Sequence, residues 1–382
     1  MISYCTNCVM PNTKPDLFFD EFGVCSACKA FNERTEINWE NRFSELQSIL
    51  SKHRSSNGEW DCIIPVSGGK DSTYQVIKAL ELGMTPLCVT ASTCDVSNIG
   101  LRNIENLKRL GVDHLQFSPN PRVRTKLNRL CLTEVGDIAW PEHVGIFTTP
   151  VKIAIKFGIK LLIWGENSQN EYGGPLEASK RHFLDRAWLE EFGGLLGLRT
   201  SDLVQVFGFS KSEIFPYEYP EAESLEANQI TGLFLGHYLP WDGLSNHLLA
   251  QANGFMTPEG PVEGSMVNYE NLDNHQHGIH DYFKFLKYGY SRATDQVSMH
   301  LRRSRISRRE AIDIVRARDG QFPWTYLGKE LSEILKPLDM SVSQFTEVCD
   351  KFTTRDLFLT TDTGELLKDS QGNLTKINYD NV

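Results

Sequence analysis

The sequence contains no apolar run that approaches the roughly 18 residues of a membrane-spanning helix, and its N-terminus lacks the charged-then-apolar pattern of a signal peptide. It also lacks an excess of basic residues, since 39 Lys and Arg stand against 49 Asp and Glu, for a net charge of -10. Such a charge provides no general attraction for nucleic acid or for an anionic membrane. We therefore expect a cytoplasmic protein with no nucleic-acid partner and no membrane partner.

A disulfide framework is not expected either, because disulfides are rare in cytoplasmic proteins. The nine cysteines therefore need another explanation. Four of them form two Cys-x-x-Cys pairs, Cys5 with Cys8 and Cys25 with Cys28. Four thiolates at this spacing suit a tetrahedral Zn²⁺ that has no open ligand position and is therefore structural. An iron–sulfur cluster and a redox pair are the alternatives. Residues 1–35 are predicted to be a zinc-binding module that needs the metal to fold, because so short a segment cannot bury a core of its own.

Two common phosphate-binding motifs are absent, the Walker loop and the dinucleotide fingerprint G-x-G-x-x-G. The sequence Ser-Gly-Gly-Lys-Asp-Ser instead follows the apolar run 63–66 and precedes a helical pattern that ends at Gly83. Glycines in such a turn let backbone N–H groups approach an anion, which the helix N-terminus, the hydroxyls and the lysine also attract. We predict a phosphate cradle here rather than a plain loop, formed by Ser67, Gly68, Gly69, Lys70, Asp71 and Ser72.

Short apolar strands alternate with helical patterns through the first half of the chain. Residues 86–91, 114–117 and 160–164 read as strands, and helices are predicted at 98–110 and about 144–157. This alternation predicts an α/β fold with a doubly wound parallel sheet, whose ligands bind at the carboxyl ends of the strands. A turn that merely ends a strand could also explain some of the residues expected there: Thr90, Gly165, Glu166, Asn167, Tyr172 and Gly173.

The patterns divide the chain into four regions. A connector helix and linker (36–58) follow the zinc module, the α/β domain spans 59–215, and a mostly helical C-terminal region spans 216–382. That last region is rich in aromatic residues and histidine, for which a hydrogen-bonded core is a simpler explanation than a second metal site. Seven arginines lie between Leu301 and Gly320, where Ser307 and Glu310 predict a helix start by their capping-box spacing. A solvated basic helix is the simplest explanation, although arginines at a helix start also suit an anionic ligand.

Taken together, these motifs resemble one bacterial family. The two cysteine pairs, the Ser-Gly-Gly-Lys-Asp-Ser loop, the Trp-Gly-Glu-Asn strand end, the Tyr-Gly-Gly turn and the Lys-Tyr-Gly-Tyr-Ser-Arg-Ala-Thr-Asp segment resemble the N-acetyl sugar amidotransferases. Those are ATP pyrophosphatases of the PP-loop type, with an adenine nucleotide alpha hydrolase-like fold. The resemblance implies conversion of an acetamido group to an acetamidino group on a nucleotide-activated sugar, for O-antigen, other surface polysaccharide or flagellar glycan biosynthesis.

The resemblance also implies cofactors, partners and residue roles. ATP, Mg²⁺ and a structural Zn²⁺ are the expected cofactors, and a glutaminase subunit with a cyclase-like subunit is expected to supply ammonia. Lys70, Asp71 and Glu166 are the expected catalytic residues. ATP is expected to contact the phosphate cradle together with Thr90 and Gly165. The nucleotide sugar is expected to contact Asn167, Tyr172, Gly173, Arg292, Asp295 and Arg302.

Two other functions are compatible with parts of the sequence. A tRNA-thiolating PP-loop enzyme also joins cysteine pairs to such a loop, but it needs a catalytic cysteine, and only Cys94 lies near a strand end. A zinc module that only senses a nucleotide would leave the aromatic and arginine-rich half unexplained. No cysteine outside the two pairs lies in a G-x-C-x-G elbow and residue 2 is Ile, so the chain is not expected to release ammonia from glutamine itself.

Overall fold

A parallel β-sheet organises the computed structural model, which describes residues 2–166 and 197–377. Its strands are β1 (Cys62–Pro65), β2 (Pro86–Ala91), β3 (Asp113–Phe117), β4 (Leu161–Trp164) and β5 (Thr231–Phe234). Their spatial order is β3-β2-β1-β4-β5, and every neighbouring pair is parallel. Ile63 of the central strand β1 pairs with Leu87 on one side and with Leu162 on the other. The strand order therefore reverses between β1 and β4.

Helices cover both faces of this sheet, as the alternation of side chains along a strand requires. Ile64 and Cys88 face the helices α2, α3 and α4, whereas Ile63 and Leu87 face α6. The helices, in chain order, are α1 (Ser26–Glu33), α2 (Trp39–Lys52), α3 (Lys70–Glu81), α4 (Asn98–Lys108), α5 (Pro121–Val135), α6 (Trp140–Phe157), α7 (Thr200–Gln205), α8 (Lys211–Ile214), α9 (Ala222–Ala227), α10 (Leu235–Tyr238), α11 (Gly243–Ala252), α12 (His277–Tyr288), α13 (Arg292–Arg302), α14 (Arg308–Arg318), α15 (Leu331–Leu335) and α16 (Val342–Phe352).

The C-terminal helices surround a second core of aromatic and aliphatic side chains. Phe283 and Phe285 of α12 pack with Phe345 of α16, beside a short antiparallel hairpin of β6 (Thr325–Tyr326) and β7 (Lys329–Glu330). The predicted capping box is present at the start of α14, where Ser307 and Glu310 each bond the other's backbone N–H. In the described part of the chain, no helix is long and apolar enough to cross a membrane.

The predicted fold class is confirmed: a doubly wound parallel sheet, an N-terminal cluster of four cysteines and a mostly helical C-terminal region. Two details differ from the prediction. The sheet continues past the expected boundary at residue 215, because β5 pairs with β4 from Leu161 with Thr231 to Trp164 with Phe234. Helix α6 begins at Trp140 rather than near 144, since Pro141 at its first turn suits a helix start.

Candidate active site and metal centre

The loop between β1 and α3 lies at the carboxyl edge of the sheet, where the strand order reverses. Open α/β sheets bind ligands in the crevice at this position. Gly69 is the N-cap of α3, and no side chain of the described residues caps this end of the 12-residue helix. Its first N–H groups are therefore available to an anion, with the positive end of the helix dipole behind them. This geometry agrees with the predicted phosphate cradle, whose occupation by a phosphate stays a prediction.

Gly68 is required in this loop for a second reason. Its φ of 77° lies in the left-handed region, which L side chains disfavour. A Cβ on this residue would also stand 2.9 Å from Cγ1 of Ile104 and 3.1 Å from the carbonyl oxygen of Gly100, both in α4. The glycine thus permits the close approach of the loop to α4, whether or not a phosphate is bound.

Lys70 connects the loop to the C-terminal half of the chain. Its Nζ lies 2.7 Å from Oδ2 of Asp71 and 3.3 Å from Oε1 of Glu270. The other oxygen of Asp71 accepts a hydrogen bond of 2.9 Å from Nδ2 of Asn246, in α11. Burial by itself would raise the pKa of Glu270, but the charges of Lys70 and Arg292 outweigh it and hold that pKa below its ordinary value.

Sequence reasoning missed Glu270 and Asn246. Neither belongs to a motif, and Asn246 is separated from Asp71 by 175 positions. Only the packing of α11 against α3 brings the amide to the loop. No local signal in the sequence could have found either residue.

Of the other residues predicted at the strand ends, Thr90, Gly165 and Glu166 lie in the part of the chain that the structure describes. The Thr90 hydroxyl donates to the carbonyl of Val66 at 2.8 Å and lies 2.8 Å from Nε2 of His114, so its hydrogen bonds are already made within the sheet. Gly165 follows β4, and a Cβ there would lie 2.7 Å from Nε2 of Gln75 in α3. Glu166 is half-buried beside it. The predicted substrate residues Asn167, Tyr172 and Gly173 lie outside the described residues.

The four paired cysteines form one buried cluster, as predicted. Their sulfur atoms all lie within 4.8 Å of one another, and all four side chains are buried. Cys5 Sγ is 3.8 Å from Cys28 Sγ, and Cys8 Sγ is 3.7 Å from Cys25 Sγ. Tetrahedral zinc with Zn–S bonds of about 2.3 Å requires S···S separations of about 3.8 Å, far longer than a disulfide. Backbone N–H groups of Cys8 and Cys25 point at Cys5 Sγ, at 3.5 and 3.2 Å. The cluster can therefore hold a metal ion such as zinc.

Arg302 faces this cluster, and its predicted contact with the nucleotide sugar stays a prediction. Its Nε lies 3.4 Å from Cys28 Sγ and its Nη2 lies 4.0 Å from Cys8 Sγ. Arg308, at the start of α14, donates to the carbonyl oxygens of Cys5 and Cys8. The guanidinium groups therefore fix the cysteine module to α13 and α14.

Two more arginines of the same segment form ion pairs with the side chain of Asp242. Arg305 forms a two-bond contact with Asp242, at 2.9 and 2.6 Å, and Nε of Arg303 lies 3.0 Å from the same carboxylate. Burial opposes the ionisation of Asp242, but the arginines and Ser245 outweigh it and lower the pKa well below its usual range. The arginine-rich segment is thus largely engaged within the protein, which weakens its interpretation as an anion-binding surface.

The remaining predicted substrate residues, Arg292 and Asp295, are also engaged. The guanidinium of Arg292 pairs with Asp281 through Nη2 at 3.0 Å and Nε at 3.3 Å. Asp295 is buried and forms an ion pair with Lys284. Neither residue is excluded from a substrate site, but each already has a structural partner.

The cysteines outside the cluster have no activated thiol. Burial raises the pKa of the Cys94 thiol and raises that of Cys88 to about 12, and the thiols of Cys62, Cys131 and Cys349 are raised in the same way. Among the residues that the structure describes, the four-cysteine cluster is the group placed to hold a metal, and the histidines of 275–280 do not form a second one.

Comparison with known proteins identifies the C-terminal part of the chain. Residues 263–369 match the family model "LPS biosynthesis protein WbpG-like, C-terminal domain". Over these residues, the chain is similar to the WbpG-like family. The match confirms the predicted resemblance to proteins of surface-polysaccharide biosynthesis, while membership of the PP-loop superfamily stays a prediction. The matched region contains Glu270, Arg292 and Arg302.

Two other comparisons add little. No curated protein matches the chain. A solved structure of NMN synthetase from Francisella tularensis is similar to 59% of this chain and 99% of its own, with 14% sequence identity and a TM-score of 0.28. A likeness at that TM-score does not establish a common fold.

Proposed function

We propose that this protein is an ATP-dependent amidotransferase that converts an acetamido group of a nucleotide-activated sugar to an acetamidino group, for lipopolysaccharide or a related surface glycan. AMP and pyrophosphate are the other products. The contact between Lys70 and Glu270, 3.3 Å long, is the observation that carries this proposal. It joins the predicted phosphate cradle to the WbpG-like domain, so that a nucleotide on one and a sugar on the other would meet at one site.

The reaction explains why such a site needs a pyrophosphate cradle. An amide oxygen is a poor leaving group, and adenylation turns it into part of a phosphate ester that ammonia can displace. Ser67, Gly69 and the N-terminus of α3 would hold the departing pyrophosphate, and Lys70 would neutralise its charge. Asp71 would hold Mg²⁺, which in nucleotide sites commonly uses one or two carboxylates together with phosphate oxygens.

The alternative of tRNA thiolation is less well supported. A thiolase needs a thiolate, and burial raises the pKa of Cys94, the cysteine nearest a strand end. The net charge of -10 is also unfavourable for a tRNA partner.

The proposed reaction can be tested directly with purified protein. Incubation with ATP, Mg²⁺, ammonium and a nucleotide-linked 2,3-diacetamido uronic acid should replace one oxygen of the sugar by NH, as detected by mass spectrometry, with release of AMP and pyrophosphate. Lys70→Ala should lower the rate by about 10²-fold or more, because it removes the charge that faces the leaving group. Lys78→Ala is the matched control, since Lys78 lies on the same helix and forms an ion pair with Glu81 at 2.8 Å. Release of ADP and phosphate would contradict the proposal.

A further inference from the structure

Two histidines share one buried carboxylate near the sheet. Asp137 lies between α5 and α6 and is only 4% exposed. Its Oδ1 lies 2.7 Å from Nδ1 of His280, in α12, and accepts a 2.9 Å hydrogen bond from the backbone N–H of Ala139. Nδ1 of His143, in α6, is 3.8 Å from the other oxygen of Asp137. The two imidazole rings meet edge to face, with centroids 5.1 Å apart.

Asp137 and the two histidines lie at the carboxyl edge of the sheet, beside β2. A Cβ at Gly145, one half-turn beyond His143, would stand 3.8 Å from the Cβ of Ala91, the last residue of β2. On the other side, the segment that leads into α12 is fixed to the chain just after β2, because the backbone N–H of His275 donates to the carbonyl of Asp95 at 3.0 Å. The carbonyl of Asp273 also accepts a hydrogen bond from the backbone N–H of Ser97, the N-cap of α4. Gly68 packs against this same helix.

The surroundings of the two imidazole rings shift their pKa values in opposite directions. Burial alone would lower the pKa of His280, but Asp137 and Asp281 outweigh it, against an opposing effect of Arg292, and the pKa lies above its ordinary value. Burial lowers the pKa of His143 to about 4; Asp137 opposes this shift, whereas His280, His277 and Arg292 add to it. Lys287 also approaches, donating to the carbonyl of Val135 at 2.7 Å. At neutral pH His143 is therefore uncharged, whereas Asp137 raises the affinity of His280 for a proton, which favours a role as proton acceptor.

We propose that His280 is the general base of the ammonia step, and that Asp137 is its positioning residue. The inference rests on the proposed amidotransferase function. The lone pair of ammonia forms the new C–N bond to the adenylated amide carbon, and the surplus proton of that nitrogen passes to Nε2 of His280. The C–O bond then breaks, and its electron pair leaves with AMP. The proton on His280 is finally released to water.

A purely structural ion pair would not need this arrangement. One histidine is enough to pair with Asp137, yet a second ring approaches it, and Nδ1 of His143 is buried without a hydrogen bond in the described structure. A buried polar atom without a partner costs stability and is commonly explained by function. In this site, Nδ1 of the neutral His143 would accept a hydrogen bond from a water, because the ionised Asp137 has no proton to donate.

The test separates the two halves of the reaction. The first measurement is the exchange of labelled pyrophosphate into ATP, with the nucleotide-linked 2,3-diacetamido uronic acid and without ammonium. The second is amidine formation with ammonium. His280→Gln should keep exchange near the wild-type rate and lower amidine formation by about 10²-fold or more. His277→Gln is the matched control: it lies on the same helix, pairs with Asp273 at 3.2 Å, and has the same 22% side-chain exposure, and both rates should be retained.

Asp137→Asn provides an independent readout and serves if His280→Gln does not fold. Removal of the carboxylate lowers the pKa of His280, so at a fixed concentration of free ammonia the rise of amidine formation with pH should move to lower pH, while exchange is retained. Equal loss of both rates in His280→Gln, or an unmoved pH profile in Asp137→Asn, would overturn the role of His280. If the wild-type protein itself shows no substrate-dependent exchange and no AMP, the amidotransferase function fails first, and the role of His280 fails with it.

Discussion

Arg302 places its guanidinium against two cysteine sulfurs, at 3.4 and 4.0 Å. A Zn²⁺ ion with four thiolates carries two excess negative charges, and such a charge is costly in a buried position unless a cation lies beside it. Arg302 and the backbone N–H groups of Cys8 and Cys25 supply that compensation. We therefore expect Arg302 to stabilise a metal ion held by this cluster.

Replacement of Arg302 by Met keeps the length of the side chain and removes the charge. Loss of a partner outside the ligand set commonly lowers metal affinity by about 10- to 100-fold, and we expect a decrease of that size here. Competition with a chelator, followed by zinc analysis, measures it. Arg309→Met is the control, because Arg309 is an exposed arginine of the same segment. Unchanged zinc retention together with a weaker apparent affinity for the sugar would restore the substrate role that the sequence suggested.

At the scale of single elements, the strand β1, the glycine loop and α3 act as one unit. Gly68 combines a φ of 77° with a distance of 2.9 Å from a built Cβ to Ile104. Gly68→Ala should therefore destabilise the protein by roughly 1–3 kcal/mol or more, measured as a lower midpoint of urea unfolding. Gly158→Ala separates the two causes, since its φ of 68° is similar and nothing lies within 4 Å of the built Cβ. Equal effects of the two substitutions would show that contact with α4 contributes nothing.

Elements with strong local signals were predictable from the sequence, and those that depend on tertiary pairing were not. The strand β2 was expected at 86–91 and lies there, because an apolar β-rich run between turns specifies a buried strand locally. The strand β5 is only four residues long, and it is defined by its pairing with β4 rather than by a local pattern. The same reason applies within the site: the loop was predicted from its glycines, whereas its contact with Glu270 depends on two distant segments packing together.

At the scale of the whole molecule, the site draws on both halves of the chain but contains no activated cysteine among the described residues. We therefore expect the isolated protein to use ammonium and not glutamine, with a rate that increases with pH because free ammonia is the nucleophile. Addition of a glutaminase with its cyclase-like subunit should make glutamine effective. The measurement is amidine formation with each nitrogen source. Release of glutamate by the isolated chain would contradict both this expectation and the proposed partners.

The contact between the cysteine cluster and Arg302 also constrains the order of events during synthesis. Cys28 and Arg302 are 274 positions apart, so at about 5–20 residues per second the arginine leaves the ribosome roughly 15–55 s after the cysteines. During that delay a metal bound by the nascent module can be screened only by water and salt. An ion taken up in that interval would therefore bind a solvated module, and α13 would cover it later. The burial of the cysteine cluster is thus completed only once α13 has been synthesised.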